Sequence, residues 1–223
     1  MSLDLSRDES VAAVTESIGR YCGSIAAGTS FTSAWRGLAE LGLFSLPELF
    51  GEAAPTAMVA AMEALARKGF YGPVADTLAF VACAPADLVE PVVAGELVAC
   101  LGRPPLVPYL DASTIHVTEI DGNAVLLEID AFEPVTMLSG DPWARVRASP
   151  GRVLGSFGPW ADCYDLCVSG WLVGAGLELV EAASAHAAQR VQFGKAIGEF
   201  QAVSAPLARA VLALDAARVL AEA

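Results

Sequence analysis

The chain has 223 residues, 55% of them apolar, a positive mean hydropathy and a formal charge of −13. That composition buries a substantial core and excludes intrinsic disorder, and the length fits one or two domains. An acidic chain without a basic stripe has nothing to neutralise phosphates along a strand, which excludes nucleic acid as a partner.

The first residues are acidic and polar, so no secretory signal is expected. The longest uncharged apolar run, Leu166 to Leu177, is Gly-rich and only twelve residues long. A run of that length is too short to span a bilayer. The expectation is a soluble cytoplasmic protein with no membrane partner. Cys22, Cys83, Cys100, Cys163 and Cys167 are odd in number and lack metal-type spacing. Cys163 and Cys167 fall one helical turn apart, as a redox pair or, by the commoner pattern, as buried thiols. His116 and His186 are distant in sequence and have no acidic partner in a recognisable arrangement, so neither a metal site nor a serine-type triad is supported.

In chain order, Val11 to Ala27 carries Val14, Ile18, Tyr21 and Ile25 at helical spacing. Gly28-Thr29-Ser30 ends it. Ser33 is suited to cap a second helix through Gly42, with Trp35, Leu38 and Leu41 inward. Thr56 to Lys68 predicts a third helix, with Met58, Met62 and Leu65 on one face. Arg67 and Lys68 stand where a helix C-terminus favours cations, and Gly69 stops it. Ala75 to Ala82 and Asp87 to Cys100 predict further helices, the latter with Pro91 near its first turn. Residues 1–100 thus read as an α-helical domain.

From Gly102 the texture changes. Pro104, Pro105 and Pro108 exclude helix. Ser113 to Glu119 alternates, and Asp121-Gly122 is a two-residue hairpin signal before Ala124 to Glu128. Val135 to Leu138, Ala144 to Ala148 and Arg152 to Leu154 are further short strands. Residues 101–158 predict a small sheet or partial barrel.

Trp160 to Arg190 predicts a long helix with small residues at Ser169, Gly170, Gly174, Ala175 and Gly176. Each interior glycine costs about 1 kcal/mol against alanine. Close approach of a neighbouring helix or of a cofactor would explain the cluster. After a loop, Ala202 to Ala223 places Val203, Leu207, Val211, Leu214 and Leu220 on one apolar stripe, with Pro206 in the first turn and Asp215 and Arg218 on the polar side. Residues 159–223 form a C-terminal helical segment around the loop 190–201.

That loop, Arg190-Val191-Gln192-Phe193-Gly194-Lys195-Ala196-Ile197-Gly198-Glu199-Phe200-Gln201, combines a guanidinium, two rings, two glycines and two amides. Glycine permits tight turns, an arginine fork suits paired phosphate oxygens, and a phenylalanine face suits a flat heterocycle. Together they are what a dinucleotide asks of a helix-loop-helix.

The loop resembles that of the acyl-CoA dehydrogenase family, Arg-x-x-Phe-Gly-x-x-Ile-x-x-Phe-Gln before a helix rich in Leu, Ala and Asp. Trp35 to Pro47, with its Leu41-Gly42-Leu43, is similar to the end of that family's second helix. Pro47-Glu48-Leu49-Phe50-Gly51-Glu52 stands near its "Pro-Glu-x-x-Gly-Gly" turn in reduced form. The resemblance implies an α+β, mainly α fold: an N-terminal helical domain, a small β middle domain and C-terminal helices whose bundle is incomplete. It also implies FAD, shared across a subunit interface. Arg190 would meet the pyrophosphate, Phe193 would pack near the adenine-ribityl part, and Gln192, Ile197, Phe200 and Gln201 would complete the wall.

The reaction implied is α,β-desaturation of an acyl-CoA or acyl-carrier-protein thioester, with a flavoprotein as electron acceptor. Two departures stand out. The family's Thr-Glu-Pro-x-x-Gly-Ser-Asp and Trp-Ile-Thr-Asn-Gly-like phrases, which hydrogen-bond the flavin ring, are absent; Arg103-Pro104-Pro105-Leu106 falls near the first without its hydroxyls. The alternative position of the catalytic glutamate, early in the long helix, aligns with Tyr164, beside Asp165 and near Asp162. A phenol with a reference pKa of about 10 is a poor base at neutral pH. Asp165 and Asp162 remain candidates for the base, or for capping the helix start. Some members of the family pair two unlike subunits, one of which has decayed. The resemblance therefore implies a homodimer or a heteromer with a second acyl-CoA dehydrogenase-like chain. The alternative is a repurposed partner or scaffold that binds no flavin.

Overall fold

The computed structural model describes residues 9–110, 114–138 and 142–222. Contacts divide the chain into two compact units: Met1–Ser24, Pro55–Tyr71 and Leu166–Ala223 form the first, Ile25–Ala54 and Gly72–Asp165 the second.

In the second unit, helix α2 (Phe31–Glu40) buries Trp35 and Leu38. Its cap is Ser30, whose hydroxyl accepts the Ser33 N–H at 3.2 Å, so the cap lies three residues before the expected one. Leu41, expected inward, is 44% exposed, because the helix has already ended and Gly42 turns the chain at φ 80°. Trp35 packs on Phe44 with ring centroids 4.6 Å apart.

The short α3 (Leu46–Phe50) and then α5 (Val74–Cys83) and α6 (Ala86–Val93) follow in the same unit. The expected helix 87–100 is corrected here. It stops at Val93, Gly95 takes φ 71°, and Val98–Leu101 is strand β1. A Cβ at Gly95 would lie 2.7 Å from the Ala39 Cβ, so glycine is required both for the turn and for the approach. Pro91 is the sixth of eight residues in α6, not in the first turn.

The sheet runs β1-β3-β4-β5-β2, with β2 Leu106–Pro108, β3 Thr114–Ile120, β4 Asn123–Thr136 and β5 Pro142–Ser156. Among the described strands of this sheet, β1 and β3 pair parallel and the other neighbours antiparallel. The two edge strands β1 and β2 are consecutive in sequence, so the sheet curls towards closure. The Asp121-Gly122 turn is as expected: both residues have positive φ (51° and 76°), and Ile120 faces Asn123 across it. The short strands expected at 124–128 and 135–138 belong to one long β4, which ends at Thr136; those at 144–148 and 152–154 belong to β5. Register shifts near Val125 and Ile129 accommodate the extra residues. Ser113 lies outside the described residues. Phe80 of α5 meets Trp160 edge to face at 5.7 Å, over Val92, Ala99, Val117 and Ala124. The Thr77 hydroxyl donates to the Ala99 carbonyl at 2.9 Å, fixing α5 to β1.

In the first unit, α1 (Glu9–Ser24) ends earlier than the periodicity suggests, and buries Val11 and Ile18. Helix α4 (Ala54–Arg67) is buried nearly all round, Met58, Met62 and Leu65 included. Helix α7 (Gly158–Gln189) runs on into this unit. Gly170 and Gly174, one turn apart on one face, meet the α4 backbone: added Cβ atoms would stand 2.5 Å from the Val59 carbonyl oxygen and 2.4 Å from that of Glu63. Gly176 faces the Leu214 side chain of α8 (Gln201–Glu222). The glycine cluster is therefore explained by helix packing. Arg67 pairs with Glu181 of α7.

Pro206 is the sixth residue of α8, beyond its first turn, and α8 buries no residue; Leu212 and Leu220 are exposed. Ala223, the expected end of that helix, lies outside the described residues. Although its uncharged run is short, α7 does contain an 18-residue window of mean hydropathy 1.4, long and apolar enough by composition to cross a membrane. Its glycine face against α4 is the packing of a helix bundle.

Candidate functional site

Two places carry the candidate residues. The first is the loop 190–201 in the first unit. The Arg190 N–H donates to the His186 carbonyl (3.0 Å), closing α7. Strands β6 (Val191–Gln192) and β7 (Lys195–Ala196) then pair as a miniature hairpin. Phe193 and Gly194 form its turn, both with positive φ (51° and 79°). A non-glycine residue in that region costs about 1–2 kcal/mol, a strain that tends to persist where function needs it. The Ile197 N–H donates to the Arg190 carbonyl at 2.8 Å, and a single helical turn leads into α8.

Phe193 is 95% exposed at the tip, edge-on to the half-buried Phe200 at 6.2 Å. Arg190, Gln192 and Gln201 are exposed as well, and Ile197 is half-buried. The Gln192 amide donates to its neighbour's carbonyl, Val191, at 2.8 Å. Lys195 stands 4.4 Å above the Phe200 ring, a cation–π contact. The hairpin places this cation on the same element as Arg190 and Phe193. Sequence reasoning passed over it, because a Phe-Gly turn lacks the asparagine or aspartate that usually marks one.

The second place is a cavity of about 580 Å³ inside the second unit. Leu101, Leu106, Val117, Trp143 and Phe157 supply apolar wall; Asp76, Arg103, Glu119, Tyr164 and Asp165 supply polar groups. Tyr164 and Asp165 are thus brought together in one cleft. Asp162 is not in that lining; its charge instead acts on Cys83, whose thiol is pushed up to about 11 by burial first, then by Cys163 and Asp162.

Asp76 was missed. Its carboxylate accepts the Leu101 N–H at 2.9 Å, and burial pushes it up to about 6 against the opposing pull of that bond. The available signal was one acid in an otherwise apolar helix, Val74-Ala75-Asp76-Thr77-Leu78. Cys100 and Cys167 are buried, and Cys22, Cys83 and Cys163 half-buried, none of them in a disulfide. His116 is buried against the Pro108 carbonyl (2.7 Å). Among the described residues no cluster of metal-ligating side chains occurs.

Comparison with known proteins gives a partial family match and a shared fold. Residues 166–223 match the family described as acyl-CoA dehydrogenase, C-terminal domain. No curated protein matches the chain in sequence. Among solved structures, the Tcur3481-Tcur3483 steroid ACAD superposes with a TM-score of 0.78 at 20% identity, over 96% of this chain and 76% of that one. PigA with FAD and proline gives 0.75 at 19% identity, over 99% and 79%. The ChsE4-ChsE5 complex from Mycobacterium tuberculosis gives 0.74 at 15% identity, over 99% and 78%. The chain has the acyl-CoA dehydrogenase fold, mainly helical with a small sheet, and residues 166–223 match the C-terminal domain described for that family.

Proposed function

We propose that the chain is a subunit of a FAD-dependent acyl-CoA dehydrogenase-type enzyme, acting in α,β-desaturation of an acyl-CoA or acyl-carrier-protein thioester. Its part is to lend the 190–201 hairpin to a flavin nucleotide shared with another chain. The observation that carries this reading is Phe193: a benzyl group 95% exposed, in a strained turn, beside an exposed arginine. A large ring held out in this way by a rigid hairpin is an anchor in want of a partner surface.

The residues present fit the nucleotide half of FAD. Arg190 and Lys195 would hold the pyrophosphate charge, and Phe193 with Phe200 would offer faces to the adenine end. They do not fit the ring half. Gly102-Arg103-Pro104-Pro105-Leu106, joining β1 to β2, carries no hydroxyl. When bound, FAD accepts the substrate hydride; no part of that step is assigned to this chain.

The base is likewise not assigned here. Removing a proton next to a thioester carbonyl needs a carboxylate within hydrogen-bond reach, and the alternative position that some members use falls, on the sequence resemblance, near Tyr164, a phenol. A second acyl-CoA dehydrogenase-like chain supplies both in this reading. The exposed Leu172 and Leu179 of α7 and Leu212 and Leu220 of α8 support such an association. Solved neighbours that are named as two-component complexes support it further.

The second reading, a partner that binds no flavin at all, is favoured by the hydroxyl-free β1–β2 turn. A visible absorption spectrum separates the two. Co-purified with its acyl-CoA dehydrogenase-like partner, the chain should be yellow, and substrate should bleach it. A colourless complex in the presence of added FAD decides for the scaffold.

A further inference from the structure

Among the described residues, no cation is seen to act on one acid of the second unit's cavity. Asp76 opens into it from α5, whose neighbouring residues Ala75, Leu78, Ala79 and Phe80 are buried. Among the described residues, the donors acting on its carboxylate are backbone N–H groups, those of Leu101 and of Asp76 itself. Arg103 lines the same cavity, yet it is not among the groups that shift Asp76. Burial pushes the carboxyl up to about 6. A partly desolvated carboxylate that no cation balances is costly. A ligand that brings a positive charge removes that cost.

The other ionisable groups facing the cavity are Arg103, Glu119, Tyr164 and Asp165. By residue type, three acids (Asp76, Glu119 and Asp165) face one guanidinium. The field therefore opposes an anion and attracts an ammonium group. The walls from Trp143, Phe157 and Val117 supply the apolar surface that small-molecule sites use, and about 580 Å³ lies within their usual range.

We propose that this cavity binds a small amine, its cationic nitrogen against the Asp76 carboxylate and its apolar body against Trp143 and Phe157. The assignment stands on this unit's own residues and does not depend on flavin binding, so a colourless protein leaves it intact.

The test uses the full chain and three soluble probes of one shape: cyclohexylmethylamine, cyclohexylmethanol and cyclohexanecarboxylate, titrated near neutral pH. The backbone amide resonance of Leu101, which is bonded to Asp76, reports binding at that carboxyl. The amine should bind about tenfold more tightly than the alcohol, the gain of a charge-assisted hydrogen bond, and the carboxylate should bind weakest. Asp76→Asn keeps an acceptor for the Leu101 N–H and should erase the preference of amine over alcohol. Equal affinities, tightest binding by the carboxylate, no binding by any probe, or an amine preference that persists in Asp76→Asn each overturns the assignment. The wild-type series decides by itself should the variant not fold.

Discussion

Gly174→Ala reverses the sign that helix propensity alone assigns. In an isolated helix alanine is worth about 1 kcal/mol over glycine. Here the new Cβ would stand 2.4 Å from the Glu63 carbonyl oxygen, 2.8 Å from the Glu63 Cα and 3.0 Å from the Ala66 Cβ. Two of those three atoms are α4 backbone, which is buried and cannot swing aside. Ordinary contact requires the helices to separate by about 1 Å, and overpacking of this kind costs about 1–3 kcal/mol or more. Contacts this short belong in the upper part of that range, about 2–3 kcal/mol, so after the propensity gain the net change is a destabilisation of about 1–2 kcal/mol. Gly170→Ala, 2.5 Å from the Val59 carbonyl oxygen, should behave alike. Gly176→Ala should be milder, since the atom it meets at 2.6 Å is the end of the Leu214 side chain, which can rotate. Gly23→Ala in α1 is the control: nothing lies within 4 Å, and the substitution should be neutral or stabilising. Urea unfolding of the four variants at constant m-value reads the order. A Gly174→Ala protein at least as stable as wild type would refute the close α4–α7 approach.

Three further outcomes follow from the same geometry. Phe193→Gly relieves the positive φ of a side chain that buries almost nothing, so stability should hold or rise by about 0.5–1 kcal/mol while flavin retention falls; unfolding midpoints and bound flavin, measured together, check the opposed changes. Because Asp76 is raised to about 6, between about pH 4 and 6 the folded state holds a proton that the unfolded chain has released. Stability should therefore fall as pH rises through that window and level off above it. Asp76→Asn should flatten that fall and be more stable above pH 6 by up to about 3 kcal/mol; a variant less stable at pH 7 contradicts the sign. The buried Trp35 Nε1 has no hydrogen-bond partner among the described residues, so Trp35→Phe removes an unsatisfied donor along with ring volume. Its net cost should stay within about 1 kcal/mol, against about 2–5 kcal/mol for truncating the fully buried Leu38 to alanine, both read by thermal unfolding.

How far the residues disclosed the fold depends on how local the deciding physics is. The Asp121-Gly122 hairpin was legible because its two residues select the turn without help from the rest of the chain. Helix α4 was legible from Met58, Met62 and Leu65, although its burial is nearly complete and the polar face expected of a surface helix is absent. Val98–Leu101 was not legible: Val-Ala-Cys-Leu suits helix and strand alike, and the partner that settles it, β3, lies some fifteen residues on. Gly95 was the local sign that α6 had ended. The long strands β4 and β5 were broken into pieces because Pro134, Pro142 and Pro150 interrupt the alternation, and only the bulged register reconciles them.

At the candidate site, the spacing from Arg190 to Gln201 was readable because it is confined to one loop. Lys195 and Asp76 were not. The first is brought round by a turn with an unusual residue in it, and the second becomes notable only when β1 delivers the Leu101 N–H to it. The glycines of α7 were ambiguous between a cofactor and a helix until Val59 and Glu63 were seen opposite them.

In the proposed assembly, the exposed hairpin holds part of a shared flavin nucleotide. That role is tested most directly by the flavin content of the purified assembly, wild type against the Arg190→Ala/Phe193→Ala double variant, both side chains being exposed and peripheral to the core. The expected double variant is an assembly of unchanged stability that has lost most of its visible flavin absorption. An assembly that retains its flavin in full with both side chains removed would contradict it.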